Sequence, residues 1–222
     1  MQKRGLILGG YNTALEGWTL TGWKLTPAEQ KTNFLEKQAG DGSWDLSTAL
    51  TDGIPRYKTR TLTATFECSE GSRQTREDEI RNMVNTLDGM RESIKLPDDE
   101  THYIVGRIHV AREYNDLAHA AVTVTAICEP WKYSNTETSV AITATDAKQT
   151  VRLVNKGRRA VVPTLTVPGT GASVLIEYGT ASIALGPGTY QWPSLLLTNG
   201  VHDIKVSGTG SLIVAFREAV LE

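Results

Sequence analysis

From residue 60 to residue 68 the chain alternates without interruption. Arg60, Leu62, Ala64, Phe66 and Cys68 fall on one side, and Thr59, Thr61, Thr63 and Thr65 form the other. Successive side chains of a strand point to opposite faces, so a period-two run of this length is a strand with one covered face and one polar face. The pattern recurs. Ile104, Ile108 and Val110 share a face between Tyr103 and Val110, and Val122, Val124, Ala126 and Cys128 share one between Ala118 and Cys128. Threonine, at 28 of 222 residues, suits such half-buried pleated surfaces because its β-branch is already restricted in χ1. These runs predict an antiparallel, mainly β protein. Pro97 to Glu100 marks the turn after a short strand at Glu92–Leu96, and Glu113 to Asp116 a hairpin link.

One segment breaks the period. Between Ser72 and Asp88 the apolar residues are Ile80, Met83, Val84 and Leu87, the i, i+3, i+4, i+7 stripe of an amphipathic helix. Ser72 or Thr75 can cap its start, Glu77, Asp78 and Glu79 are placed in its first turns where the helix dipole favours acid, and Gly89 stops it. Its charged face is expected to be solvated. The first 56 residues are less regular, with short strands expected at Leu6–Leu8, Trp18–Leu25 and Asn33–Lys37. The glycine-punctuated turn from Gly40 to Leu46 ends in a small apolar anchor. Trp18, Trp23 and Trp44 are expected in a core or a subunit interface.

Charge density divides the chain. Residues 1–133 carry 16 basic and 19 acidic side chains, whereas residues 134–222 carry 7 and 6. The second part has no helical pattern. It has short β runs at Val140–Ala144, Thr150–Val154, Val162–Val167, Ser173–Tyr178, Ala181–Leu185, Ser194–Leu197, His202–Val206 and Ser211–Phe216. Turn residues such as Gly186-Pro187-Gly188 and Asn199-Gly200 separate them. Strands at this spacing predict a sandwich or jelly roll. The expected organisation is therefore an N-terminal β-rich domain with one helix and β-hairpins over 1–133, then a C-terminal β-sandwich over 134–222. Trp131 beside Pro130 is expected at the junction.

The same features exclude several function classes. With 23 basic against 25 acidic residues the net charge is −2, so the broad basic field of a nucleic-acid binder is absent. No stretch approaches the length of a membrane helix. The basic opening, Met1 to Arg4, leads into an apolar run of only Leu6, Ile7 and Leu8, so no signal peptide is expected and synthesis is assigned to the cytoplasm. Cys68 and Cys128 are two in number and read as buried thiols rather than a disulfide framework. His102, His109, His119 and His202 show no zinc spacing, and His102 and His109 must face opposite sides of one strand. Nucleophile elbows and P-loops are missing. Asp41 and Asp45 flank Gly42 but bring too few oxygens for calcium. Asp98-Asp99-Glu100 reads as an exposed acidic turn. No catalytic residue, metal or cofactor is assigned, and the protein is not expected to be an enzyme. A hydrolase with dispersed carboxylates finds no motif in its support. Trp192, Tyr190 and Tyr178 are candidates to stack on a sugar ring, with core or rim packing as the alternative.

Four stretches resemble a known family. Gly40-Asp41-Gly42-Ser43-Trp44-Asp45-Leu46 is similar to its glycine-aspartate-leucine turn, and Tyr57-Lys58-Thr59-Arg60 to the tyrosine-x-x-arginine opening of a long strand. Ile127-Cys128-Glu129-Pro130-Trp131-Lys132-Tyr133 resembles the motif that closes the N-terminal domain. Asn155-Lys156-Gly157 with Val162-Pro163 begins a sandwich that ends in Phe216-Arg217-Glu218-Ala219-Val220-Leu221. In this order they resemble the distal tail proteins of long-tailed, non-contractile bacteriophages, including prophages of Gram-positive hosts. Trp18 to Lys24 has no counterpart in the pattern. The resemblance implies a structural baseplate protein of the virion tail tip. Its N-terminal domains would form a homohexameric ring that continues the tail tube from the major tail protein and holds the tail-associated hub protein. It also implies a galectin-like C-terminal domain that projects outward and can carry receptor-binding proteins. No large inserted module interrupts that domain, so the chain looks like the short form. The alternative reading is a carbohydrate-binding module that attaches to cell-surface glycans.

Overall fold

The computed structural model describes residues 5–51 and 53–222, so the basic opening Met1–Arg4 lies outside the described residues. Residues 1–132 and 133–222 form two compact units, each described by itself.

The first unit contains β1 (Ile7–Leu8), β2 (Tyr11–Asn12), β3 (Thr19–Leu25), β4 (Phe34–Glu36), β5 (Ser43–Asp45), β6 (Arg60–Cys68), α1 (Arg73–Leu87), β7 (Arg91–Lys95), β8 (His102–Asn115) and β9 (Ala120–Ser134). Seven of these strands form a sheet in the order β2-β1-β7-β8-β9-β6-β3. The β6–β9 register, Arg60 opposite Cys128 through Cys68 opposite Ala120, puts Leu62, Ala64 and Phe66 beside Ala126, Val124 and Val122 on one face. That face is buried together with Ile80, Met83 and Leu87 of α1 and with Trp18, Leu6 and Leu8. The opposite face pairs Thr63 with Thr125 and Thr65 with Thr123. Close packing leaves no room at Gly106, where a β-carbon would stand 2.6 Å from Cys128 Sγ. Cys68 and Cys128 are free, buried thiols near opposite ends of the β6–β9 ladder, too far apart for a disulfide.

The helix starts where Ser72 caps it, its Oγ accepting the Thr75 N–H at 3.1 Å. Because Arg73 opens the helix, Glu77, Asp78 and Glu79 fall in its second turn, beyond the strongest part of the dipole. The charged side is also not wholly solvated. Arg76 is 2% exposed. Its guanidinium donates to the Gly71 carbonyl at 2.8 Å and to the carbonyls of Asp116 and Leu117 at 2.9 and 3.1 Å. Arg76 therefore pins the β8–β9 turn, which lies at residues 116–119 rather than 113–116 because β8 runs on to Asn115.

The second unit contains β10 (Thr138–Ala144), β11 (Gln149–Asn155), β12 (Thr164–Val167), β13 (Ser173–Tyr178), β14 (Ala181–Leu185), β15 (Gly188–Gln191), β16 (Gly200–Phe216) and β17 (Ala219–Val220). It is a galectin-like sandwich organised on β16. The first part of β16 lies between β11 and β13, with β14 outside β13; the second part lies between β10 and β12, with β15 outside β12. The strand turns from one sheet to the other at Gly208 and Gly210. Gly208 has φ +118° and lies so close to the Ser173 carbonyl that a β-carbon cannot fit. The runs His202–Val206 and Ser211–Phe216 are thus one bent strand rather than two. Ser194–Leu197 is not a strand: Leu195 and Leu197 are buried in a loop tied by a single bridge between Val161 and Leu197. The sequence around Gly186-Pro187-Gly188 supplies β15 instead of only a turn. Its residues 188–191 alternate no apolar side chains, which hides them from a periodicity argument.

Candidate interaction surface

Between β3 and β6 the chain leaves the sheet of the first unit as an arm. Its root is firmly tied. Gln30 bridges Tyr57, Lys31 N–H donates to the Arg56 carbonyl and Lys58 N–H to the Glu29 carbonyl, both at 2.8 Å. Lys58 Nζ meets Glu29 Oε2 at 3.1 Å. The buried Arg60 guanidinium donates through Nε to the Thr26 carbonyl at 2.6 Å, and Thr61 N–H to Thr26 Oγ1 at 2.8 Å. Here lies the reason for an arginine on an otherwise apolar strand face: it fastens the point where the arm departs.

Beyond the root, β4 and β5 pair only with each other, Phe34 opposite Asp45, Leu35 opposite Trp44 and Glu36 opposite Ser43. Leu46 N–H donates to the Asn33 carbonyl and Asn33 N–H to Ser47 Oγ, each at 2.8 Å. The Asp45 carboxylate accepts the Ser47 N–H at 2.9 Å, and hydrogen bonding to Ser47 holds its pKa below the usual carboxylate value. None of the six strand residues is covered. Phe34 is 59% exposed, Leu35 56%, Trp44 58% and Leu50 99%. Trp44 and Leu46 are therefore no anchor within their own chain, and neither belongs to its core. Leu35 and Trp44 are direct cross-strand neighbours on one face and line a shallow depression with Lys37 and Ala39. A two-stranded hairpin without a third strand or a helix over it is marginal in water. Large apolar side chains gathered on such an element mark a surface that is covered by something else.

The other sequence candidates occupy different places. Trp192 is 8% exposed and packs in the sandwich core. Tyr190 is on β15, its hydroxyl donating to the Pro187 carbonyl at 3.3 Å. Tyr178 ends β13 and its hydroxyl meets His202 Nδ1 at 2.7 Å. β15 and β13 belong to different sheets, so Tyr190 and Tyr178 do not share one. Trp18 is in the core, Trp23 packs against it, and Trp131 meets Tyr57 edge-on at 5.3 Å between ring centroids.

The acidic turn is more built than its sequence suggests. Asp99 Oδ1 accepts the backbone N–H groups of Thr101 and His102 at 3.2 and 3.0 Å and meets His102 Nδ1 at 3.2 Å, while Oδ2 stands 3.5 Å from Lys132 Nζ. Burial favours the neutral acid, but hydrogen bonds from His102 and Thr101 outweigh it and hold the pKa at about 2. This is a turn lock. Among the described residues no three His, Cys, Asp or Glu side chains converge as metal ligands, and no helix is long and apolar enough to cross a membrane.

No family model matches the sequence, and no curated protein matches it. Among solved structures, the chain is similar to the crystal structure of the SPP1 Dit (gp 19.1) protein, described as a paradigm of the hub adsorption apparatus in phages that infect Gram-positive bacteria. The match covers 97% of this chain and 98% of that one, with a TM-score of 0.68 and 13% identity. The likeness shows the fold: over nearly its whole length the chain is built like that protein.

Proposed function

We propose that this chain is a structural subunit of a phage tail tip, and that its first unit assembles with copies of itself into a closed hexameric ring. The observation that carries the reading is the arm: a tied root, an isolated hairpin and exposed Phe34, Leu35, Trp44 and Leu50. In a ring, each protomer uses one patch to grip a different patch on its neighbour, and such heterologous contacts need an element that reaches out. The shared fold with the SPP1 hub protein supports the same assignment. On this reading the ring joins the major tail tube protein to the tail-associated hub protein, and the sandwich offers attachment for receptor-binding proteins in the virion. Its role on this reading is structural and is carried by its interfaces. The buried position of Trp192 favours this role over glycan binding by the sandwich.

Light scattering over a concentration series, with negative-stain images of the largest species, tests the proposal. A hexamer with a central hole is expected. A protein that stays monomeric at every concentration, alone and with its tail-tube partner, overturns it.

A further inference from the structure

Four dipeptides in the sequence place Asp or Asn before glycine: Asp41-Gly42, Asp52-Gly53, Asp88-Gly89 and Asn199-Gly200. Such pairs are open to backbone rearrangement, because glycine has no side chain to shield its amide nitrogen from the preceding side-chain carbonyl carbon. Reaction requires that both the nitrogen and the carboxyl or amide group be free to approach each other. The structure separates the described pairs on this criterion; Asp52 lies outside the described residues, but the nitrogen of its neighbour Gly53 is engaged, donating to the Thr48 carbonyl at 3.3 Å.

At Asp88-Gly89 both partners are held. Gly89 N–H donates to the Ile108 carbonyl at 2.9 Å, and Asp88 Oδ1 accepts from Val110 N–H at 2.9 Å and meets His109 Nδ1 at 2.8 Å. At Asn199-Gly200, which sequence chemistry alone would rank first, the side-chain Nδ2 donates to the carbonyls of Lys156 and Gly157 at 3.2 and 3.1 Å. Gly200 is itself paired with Asn155 in the ladder. Asp41-Gly42 is different. Asp41 is exposed at the tip of the arm. Gly42 lies just outside β5 and takes part as an acceptor, from Lys37 N–H at 3.3 Å.

We propose that Asp41 is the site of spontaneous aspartate isomerisation in this protein. The Gly42 nitrogen attacks Asp41 Cγ, an N–C bond forms, and the carboxyl oxygen leaves as water with the amide proton. Hydrolysis of the resulting succinimide at the main-chain carbonyl returns that water and leaves the backbone running through Cγ. Atoms and charge are restored, and no oxidant or cofactor takes part. The product has one extra backbone carbon at the hairpin tip, three residues before Trp44, where it disturbs the Leu35–Trp44 pairing.

The test is ageing of the intact protein at mildly acidic pH and body temperature for several weeks, followed by labelling with protein L-isoaspartyl methyltransferase and tritiated S-adenosylmethionine. Electron-transfer fragmentation of the tryptic peptide covering residues 38–56 tells Asp41 from Asp52. Label should accumulate at Asp41 several-fold faster than at Asp88 or Asn199 and should vanish from this site in Asp41→Glu. Label that appears first at Asn199, Asp88 or Asp52, or an Asp41→Glu protein that labels as fast as the parent, overturns the inference. Unfolding in urea before ageing gives an independent check, because it should restore reaction at Asn199.

Discussion

Trp44→Ala should fold like the parent and assemble poorly. A free tryptophan side chain offers about 250 Å², and Trp44 is 58% exposed, so about 145 Å² is available for burial against a neighbour. At about 25 cal/mol per Å² this amounts to about 3.6 kcal/mol per contact. Ordering of the side chain and incomplete burial reduce it, and about 2 kcal/mol is a fair lower figure. The dissociation constant of each protomer contact should therefore rise by a factor of roughly 30 to 400. The folded monomer loses almost nothing, since the residue makes no core contact; its unfolding free energy should move by no more than about 0.5 kcal/mol. Sedimentation velocity over a concentration series reads the first quantity and urea unfolding the second. The reasoning fails if assembly is unchanged while Trp44 is absent. It also fails if unfolding shifts by about 2 kcal/mol, since Trp44 would then be covered within its own chain.

Three further outcomes follow from the geometry. Asp99→Asn should cost about 2–3 kcal/mol near neutral pH, the stability equivalent of a carboxylate held at about 2 in place of about 3.9 when unfolded. Because the folded pKa is the lower one, this contribution is present above pH ~4 and disappears as pH falls to about 2, so the two proteins' urea midpoints should converge over that window. Gly208→Ala should abolish or strongly weaken folding of the sandwich, because its β-carbon meets the Ser173 carbonyl at a positive φ; circular dichroism melting of the purified protein reads it. Trp192→Ala should cost about 3–5 kcal/mol of sandwich stability in urea unfolding, as expected for a buried core indole.

The period-two runs were legible because a half-buried strand writes its two faces into alternate residues, as Leu62, Ala64 and Phe66 do against Thr61, Thr63 and Thr65. The helix was legible for the matching reason at period 3.6, and Ser72 marked its start. Trp44 was not, because an apolar residue declares that it needs cover without saying whether its own chain provides it. The same holds for Leu35 and Phe34, whose exposure needed coordinates to be seen. The burial of Arg76 on the helix's charged face was not legible, because its partners, the carbonyls of Gly71, Asp116 and Leu117, are backbone groups supplied by chain reversal. Backbone acceptors leave no trace in sequence. β15 is not legible from periodicity, because Gly188–Gln191 alternates no apolar side chains and is held by its pairing with β12.

The bent strand β16 has a consequence for how the sandwich comes into being. It pairs directly with β10, β11, β12 and β13, and every one of these precedes it in the chain. While the protein is being synthesised, strands from Thr138 onward emerge with apolar faces but without the partner that organises either sheet. β13 can pair with β14 and β12 with β15 before it, but β10 and β11 have no ladder partner until Gly200–Phe216 has been made, and the contacts it closes span long stretches of sequence, which makes their formation slow. A chain interrupted before residue 200 lacks the middle strand of both sheets. Formation of this domain is thereby coupled to complete translation of β16: a fragment that stops short presents unpaired strand edges and apolar faces, which makes it prone to aggregate.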